Sequence, residues 1–173
     1  MNEMKFYDEA ANRFYSSIDF SSFPLISWDV FSHSFYKTYH GLNDISRLID
    51  LSKENNWKHP SAFKDEILDK NHVIVVTDLH LNIVHATHNI YDMNGYRPEE
   101  ILGKQPKIFQ GKDTCQRTIK SIANAIKNEV PFETIILNYR KDGTPYKCWI
   151  KGTPIRDEQN KLVNFIAYER EVA

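Results

Sequence analysis

The chain has 173 residues, room for one domain with added helices and too little for two full-sized ones. Hydrophobic residues make up 41% and aromatics 13%, so a packed core is expected; the net charge of −1, from 22 basic and 23 acidic side chains, offers no field for nucleic acid or an anionic membrane. No apolar run is long enough to span a membrane, Met1 opens a polar segment without a secretory core, and Cys115 and Cys148 lack CxxC spacing, so a reduced, cytoplasmic protein is expected.

In chain order, the first 70 residues read as helical. Phe6, Tyr7, Phe14, Tyr15 and Ile18 suggest an early helix. Trp28, Phe31, Phe35 and Tyr39 recur every three or four residues after Pro24, the stripe of an amphipathic helix. Ile45, Leu48, Ile49 and Leu51 predict a separate helix opened by Asn43 or Asp44 as cap, and Phe63, Ile67 and Leu68 continue the theme after Pro60 and Ser61. From residue 72 the signals turn to strands: "HVIVVTD" and "NIVHAT" are β-branched runs separated by a short polar turn. "IYDMNG" and "RPEEILG" are short helical pieces stopped by Gly95 and Gly103, and 113–129 is a longer helix with Ile119, Ile122 and Ile126 on one face. "FETIILNYR", "PYKCWIKGTPI" and "KLVNFIAYEREV" close the chain as three strands, with "KDGT" and "RDEQN" turning the corners. That order predicts an α+β fold: a five-stranded antiparallel sheet with short helices and one long helix on one face, plus a helical N-terminal extension.

The stretches "VVTD", "GYRPEEILGK", "FQG" with a following Asp-Thr, "LNYRKDGTPY", "TPIRDEQNK" and "FIAYEREV" hold an order and spacing that resemble a PAS domain. Within PAS, the resemblance is to the LOV (light, oxygen, voltage) flavin-binding branch. It implies two regions, a helical extension over 1–70 and a PAS domain over 71–173. A LOV domain holds FMN between helices and sheet and bonds it to a cysteine when illuminated. In the matching segment, Gly103-Lys104-Gln105-Pro106-Lys107-Ile108-Phe109-Gln110, Pro106 stands where the family has that cysteine, so the resemblance implies no adduct here. Gln110 and Asn138 keep the family's flavin contacts. Lys107 and Ala123 replace two phosphate-holding arginines, Cys148 replaces the ring-reading asparagine, and Glu169 replaces the glutamine of the last strand. The candidate cofactor-binding positions are Gln105, Pro106, Lys107, Gln110, Asn138, Cys148 and Glu169. The ligand itself stays open, with FMN or another flavin as the candidate the resemblance supplies.

Strand alternation gives an independent reading of the two sheet faces. If Asn138 faces the helices, so do Phe132, Thr134 and Ile136, and on the neighbouring strands Tyr146, Cys148, Ile150, Phe165, Ala167 and Glu169. An apolar face with a few convergent polar groups suits a small-molecule site, or else a filled core in which those groups satisfy backbone. A buried Glu169 needs a cation such as Lys107, a ligand or solvent. The other face carries Ile135, Leu137, Tyr139, Trp149, Ile166 and Tyr168, a patch too large to leave wet. The aromatic N-terminal helices, a second subunit, or both are expected to cover it, which makes a homodimer or a signalling-protein partner the expected assembly.

His85 and His88 invite a metal reading, but no neighbouring cysteine or carboxylate completes a set, and solvated or capping histidines are expected instead. Haem would want an axial histidine on the long helix, which has none. Cys115, near the start of that helix, is a candidate redox thiol or simply a small residue at a helix start. No phosphate loop, nucleophile elbow or zinc motif is present, so an enzyme is not expected. The expected function is a cytoplasmic PAS sensory module in which a small ligand or redox change repacks the sheet against the N-terminal helices and shifts a dimer or partner surface. The alternatives are a cysteine-free flavoprotein that responds by photoreduction of its flavin, and a ligand-free PAS dimerisation scaffold.

Overall fold

The computed structural model describes residues 26–58 and 63–173. The helix expected around Phe6–Ile18 and the side chains of Trp28 and Phe31 lie outside the described residues. Helix α1 runs without interruption over Ile26–Glu54, where the sequence suggests two helices. The expected break at Asn43 or Asp44 does not occur, for two reasons. Gly41 is a point of close approach, since a Cβ there would sit 2.8 Å from Leu68 Cδ2. Asp44 caps no helix start of its own; its buried carboxylate accepts from the backbone N–H of His88 at 2.8 Å. The helix ends where Asn56 takes the left-handed conformation (φ 50°) and the N–H of Trp57 turns back to the Ser52 carbonyl at 2.8 Å.

A turn of π-helix (Asp65–Asp69) leads into β1 (Val73–Thr77) and β2 (Ile83–Ala86). Then come α2 (Ile90–Asn94), α3 (Pro98–Ile101), a 3₁₀ turn (Pro106–Phe109) and α4 (Gln116–Lys127). Strands β3 (Phe132–Tyr139), β4 (Pro145–Arg156) and β5 (Leu162–Val172) complete a five-stranded sheet of order β2-β1-β5-β4-β3 with antiparallel pairing throughout. The predicted α+β architecture is the observed one. Tyr36–Ala173 form one compact unit.

Every residue of β1 is buried, because both sheet faces are covered there. Inward, Val73 and Val75 join Ile83, Ala86, Ile90, Met93, Ile101, Phe109, Ile136, Tyr146 and Cys148 in one core. Outward, Ile74 and Val76 join Ile166, Tyr168 and Ile155 beneath Leu48, Trp57, Phe63 and Ile67. The described part of the outer-face cover is thus the chain's own Ile45, Leu48, Leu51, Trp57, Phe63, Ile67 and Leu68; of the aromatic stripe, Phe35 and Tyr39 are exposed. Trp57 fixes this cover, its Nε1–H donating to Asn164 Oδ1 at 3.0 Å while the Asn164 amide donates to the Thr77 carbonyl.

Two residues of the expected outer-face patch lie outside this cover. Ile135 is 54% exposed on the edge strand, beyond the reach of the cover. Tyr139 turns round the sheet edge to the 111–114 turn, where its hydroxyl donates to Asp113 Oδ2 at 2.8 Å and its ring takes the space a Gly111 side chain would need.

Candidate functional site

Between α4 and the inner face of the sheet lies a cavity of about 330 Å³, within the range of small-molecule sites. Its roof is the stripe Ile119, Ile122, Ala123 and Ile126 of α4. This helix is strongly one-sided, yet none of its residues is fully buried, because the stripe faces the cavity more than packed neighbours. The floor is Ile136, Asn138, Ile150, Ala167 and Glu169, and the end walls come from Val75, Thr77, Phe109, Phe132 and Phe165.

The 103–110 segment forms one side. Gly103 and Lys104 pair with Ile83 through two backbone hydrogen bonds of 2.8 Å, and Gly103 needs its φ of 75° to do so. Gln105 is extended (φ −88°, ψ 148°), as a residue before proline must be, and its amide donates to the His80 carbonyl at 3.1 Å. Pro106 opens the 3₁₀ turn, where no N–H is required of it, and Phe109 at its end is buried against Tyr96. The proline therefore stiffens the wall of the cavity that it lines.

Six of the seven candidate positions, Gln105, Pro106, Lys107, Gln110, Asn138 and Glu169, line this one cavity, together with Ala123. Cys148 is fully buried but is not among the lining residues; its Sγ packs 3.8 Å from Glu169 Oε2. Lys107 is the one cationic side chain on the described lining, and it is exposed. Glu169 is only 4% exposed, and its side chain meets a weak contact from the Cys148 thiol. Burial pushes its carboxyl up to about 7, and the thiol lowers it only partly back. Burial, with the Glu169 charge next in effect, pushes the Cys148 thiol far above the usual range, and the buried Tyr146 phenol moves the same way.

Two lining groups were not singled out from the sequence. Thr77 carries a buried Oγ1 without a hydrogen-bond partner at the cavity wall. Nothing distinguishes it in sequence from an ordinary strand threonine. Phe132 lies across from Gly152 in the β3–β4 register, and its ring occupies the place of the missing Cβ, which would sit 2.3 Å from Cε1. A glycine inside β4 was the available signal for that close approach.

A larger cleft of about 550 Å³ lies between α1 and the α2–α3 segment, lined among others by His40, Asp44, His88 and Arg97. Its central groups already answer one another: His88 pairs with Asp44 at 3.0 Å, and the His40 ring stacks on His88 at 4.3 Å. A β-bulge between Thr77–Ile83 and Val76–His85 turns His85 to this outer side, where it is buried and its pKa is lowered by desolvation. So His85 is not the solvated histidine expected. Among the described residues, no group of three or more His, Cys, Asp or Glu is placed to hold a metal. Cys115 is exposed at the N-cap of α4, and the Thr118 backbone N–H draws its thiol pKa down. None of the described helices is long and apolar enough to cross a membrane.

Comparison with known proteins places this geometry. Phototropin-2 from Oryza sativa subsp. japonica is 34% identical over 113 residues, 64% of this chain but 12% of that protein. Protein TWIN LOV 1 from Arabidopsis thaliana is 33% identical over 110 residues, 61% of this chain and 28% of that protein. The chain thus corresponds to a small part of either relative. Among solved structures, the light state of the blue-light photoreceptor Aureochrome1 LOV is 31% identical with a TM-score of 0.58, over 65% of this chain and 90% of that one. A light-oxygen-voltage domain studied with a flavin analogue superposes with a TM-score of 0.61 at 22% identity, over 65% of this chain and 86% of that one, a likeness of fold. The family model described as "PAS domain" matches residues 71–173, and the chain belongs to that family.

Proposed function

We propose that the chain is a LOV-type sensory module that holds a flat heteroaromatic ligand of the flavin class, without a covalent bond, between α4 and the sheet. The observation that carries this reading is the apolar stripe of α4 standing over a cavity whose polar points converge: Gln110, Asn138, Glu169 and the unpartnered Thr77 hydroxyl. The residues fit such a group. Ile119, Ile122, Ile136 and Ile150 offer apolar walls to a ring, and the buried hydroxyl and amide offer edge contacts. Lys107 at the lining would meet a phosphate tail. A bound flavin supplies blue-light absorption and reversible reduction. Among the described residues no cysteine lines the cavity, and Pro106 stands where the resemblance puts the reactive one, so the response here runs without adduct formation.

β5 is the route outward. Glu169 lies on the cavity side while its neighbour Tyr168 packs in the outer core with Trp57, Phe63 and Ile67. A ligand-driven shift of β5 therefore reaches α1, whose outward side carries exposed Tyr36, Tyr39, Leu42 and Ile49 for a second copy or a signalling partner. A reducing compartment suits the two unpaired cysteines. The test is the absorption spectrum and mass spectrum of the protein as purified, followed by fluorescence titration with FMN and riboflavin. Flavin bands, or saturable binding of either compound, are expected. A colourless protein that binds neither overturns the reading.

A further inference from the structure

Resting on that reading, we infer that Glu169 is the proton-bearing contact of the site: it holds the ligand as a neutral carboxylic acid, donating a hydrogen bond to an acceptor atom on the ligand's edge. The ligand class follows from this. It must present a ring nitrogen or carbonyl, rather than a second donor, to β5.

The argument starts from what surrounds the carboxyl. Glu169 lines the cavity from the middle of β5, paired in register with Val73 on β1 and Ile150 on β4. Both neighbours are aliphatic, and α4 contributes only Ile119, Ile122, Ala123 and Ile126 from above. The titratable groups that face it are Cys148 and Tyr146, both of which burial keeps neutral. Lys107, the cation of the lining, is exposed and makes no ion pair with it. The surface bridges, such as Arg140 with Glu171, lie elsewhere. A carboxylate in these surroundings would be a buried charge with one weak thiol contact, which is the costly case. The neutral acid is not costly there. It carries one O–H whose nearest protein partner is the weakly accepting Cys148 sulfur at 3.8 Å. The single S–H there is placed to donate to either Oε2 or the Trp149 carbonyl at 3.7 Å, so the O–H has no strong acceptor in the protein. An acceptor on a bound ligand completes that hydrogen bond. Deprotonation turns the same position into an acceptor-only charge and removes the contact.

Ligand affinity is therefore coupled to one proton. Above the carboxyl's midpoint of about 7, binding weakens by roughly tenfold per pH unit. Riboflavin is the probe, because it lacks the phosphate whose own ionisation would blur the profile. Its Kd is expected to rise about 30-fold between about pH 6 and about pH 8.5. In Glu169→Gln the amide donates at every pH, and the profile should be flat within about twofold. In Glu169→Leu, binding should be weak at both pH values. An infrared titration of the protein alone supplies a second reading: a carboxylic-acid C=O band that disappears with a midpoint near 7 and is missing in Glu169→Gln. Equal riboflavin affinity at both pH values in the wild type overturns the inference and leaves the site reading intact. A pH slope that survives in Glu169→Gln does the same, by assigning the slope to another group. A carboxylate already ionised at about pH 6 also overturns it. A colourless protein that binds neither riboflavin nor FMN at any pH overturns the site reading itself, and the inference falls with it. If FMN alone binds, the wild-type and Glu169→Gln profiles are compared with FMN, whose phosphate contribution cancels between them.

Discussion

The two faces of the one sheet are built to different ends. On the outer face, Leu48, Trp57, Phe63 and Ile67 close down on Ile74, Val76, Ile166 and Tyr168. Several polar groups along the seam find partners, Trp57 with Asn164, Asn164 with the Thr77 carbonyl and Asp44 with His88, while the buried His85 Nε2 does not. On the inner face, the half beneath α2 and α3 is packed around Met93, Ile101 and Phe109, while the half beneath α4 encloses open volume. There the polar atoms stay under-partnered, with Thr77 Oγ1 unpaired and Glu169 meeting only a thiol. Native packing tolerates neither empty space nor lone polar groups without cause. Unpaired polar atoms alone do not make the distinction, since His85 Nε2, Asn94 Nδ2 and the Tyr146 hydroxyl also lie buried without partners in packed surroundings. Their coincidence with open volume beneath α4 is what separates a site from a core, because closing the outer face shows that this chain has the means to close the inner one.

Truncation on the closed face should therefore have the largest effect. Leu48 is 0% exposed and sits at the centre of the outer cluster. Leu48→Ala removes a fully packed side chain and should cost about 4 kcal/mol of unfolding free energy, read from urea denaturation. A loss below about 1 kcal/mol would show the outer seam to be loosely packed and would erase the contrast between the faces.

Much of this was legible in the sequence, and the misses share a cause. Alternation along β3, β4 and β5 placed Asn138, Cys148 and Glu169 on one face, because strand period is a local property that packing cannot reverse. Where a bulge interrupts that period in β2, local pattern gives no guide, and His85 sits buried on the outer side instead of solvated. Asp44 looked like a helix cap because caps are recognised from neighbouring residues, whereas its real partner, His88, lies 44 positions on. Gly41 is fixed by another distant contact, since the atom that demands a glycine there belongs to Leu68. Cys148 shares the inner face with Glu169, but alternation gives a side and no depth, so its place behind the cavity wall was invisible. That Leu48, Trp57, Phe63 and Ile67 take part in the outer cover was hidden equally, since amphipathicity says that a helix docks and not against what.

The open half makes a pH-dependent prediction of its own. With Glu169 raised from 4.5 to about 7, the folded protein holds more protons than the unfolded chain between those values. The sign follows: this group's contribution is fully present below about 4.5 and is lost as pH rises through about 7, so stability falls with pH across that window. Glu169→Gln removes the titration. The variant should lose this downward slope and, at about pH 8, exceed the wild type by on the order of 3 kcal/mol. Urea unfolding at several pH values tests it, and parallel curves for the two proteins would place a countercharge beside Glu169 and close the open half of the comparison.

The smallest stability effect belongs to the roof. Ile122 lies on the inward stripe of α4 and packs only partly against the inner core, since its other side faces the cavity. Truncation there removes few neighbour contacts, because a side chain beside open volume has fewer to lose. The alanine that replaces it is also the better helix former, which returns a few tenths of a kcal/mol. Ile122→Ala should therefore cost under about 1 kcal/mol in urea denaturation, although it deletes more carbon atoms than many core substitutions that cost more. The loss should appear in binding instead, since a ring stacked under α4 would lose the contact that the fold does not need. Riboflavin affinity should drop roughly fivefold, about 1 kcal/mol. The two measurements read the same methyl groups against two partners, the protein and the ligand. A stability loss as large as that of Leu48→Ala, with affinity unchanged, would mean that α4 seals a filled core and that the two faces are built alike.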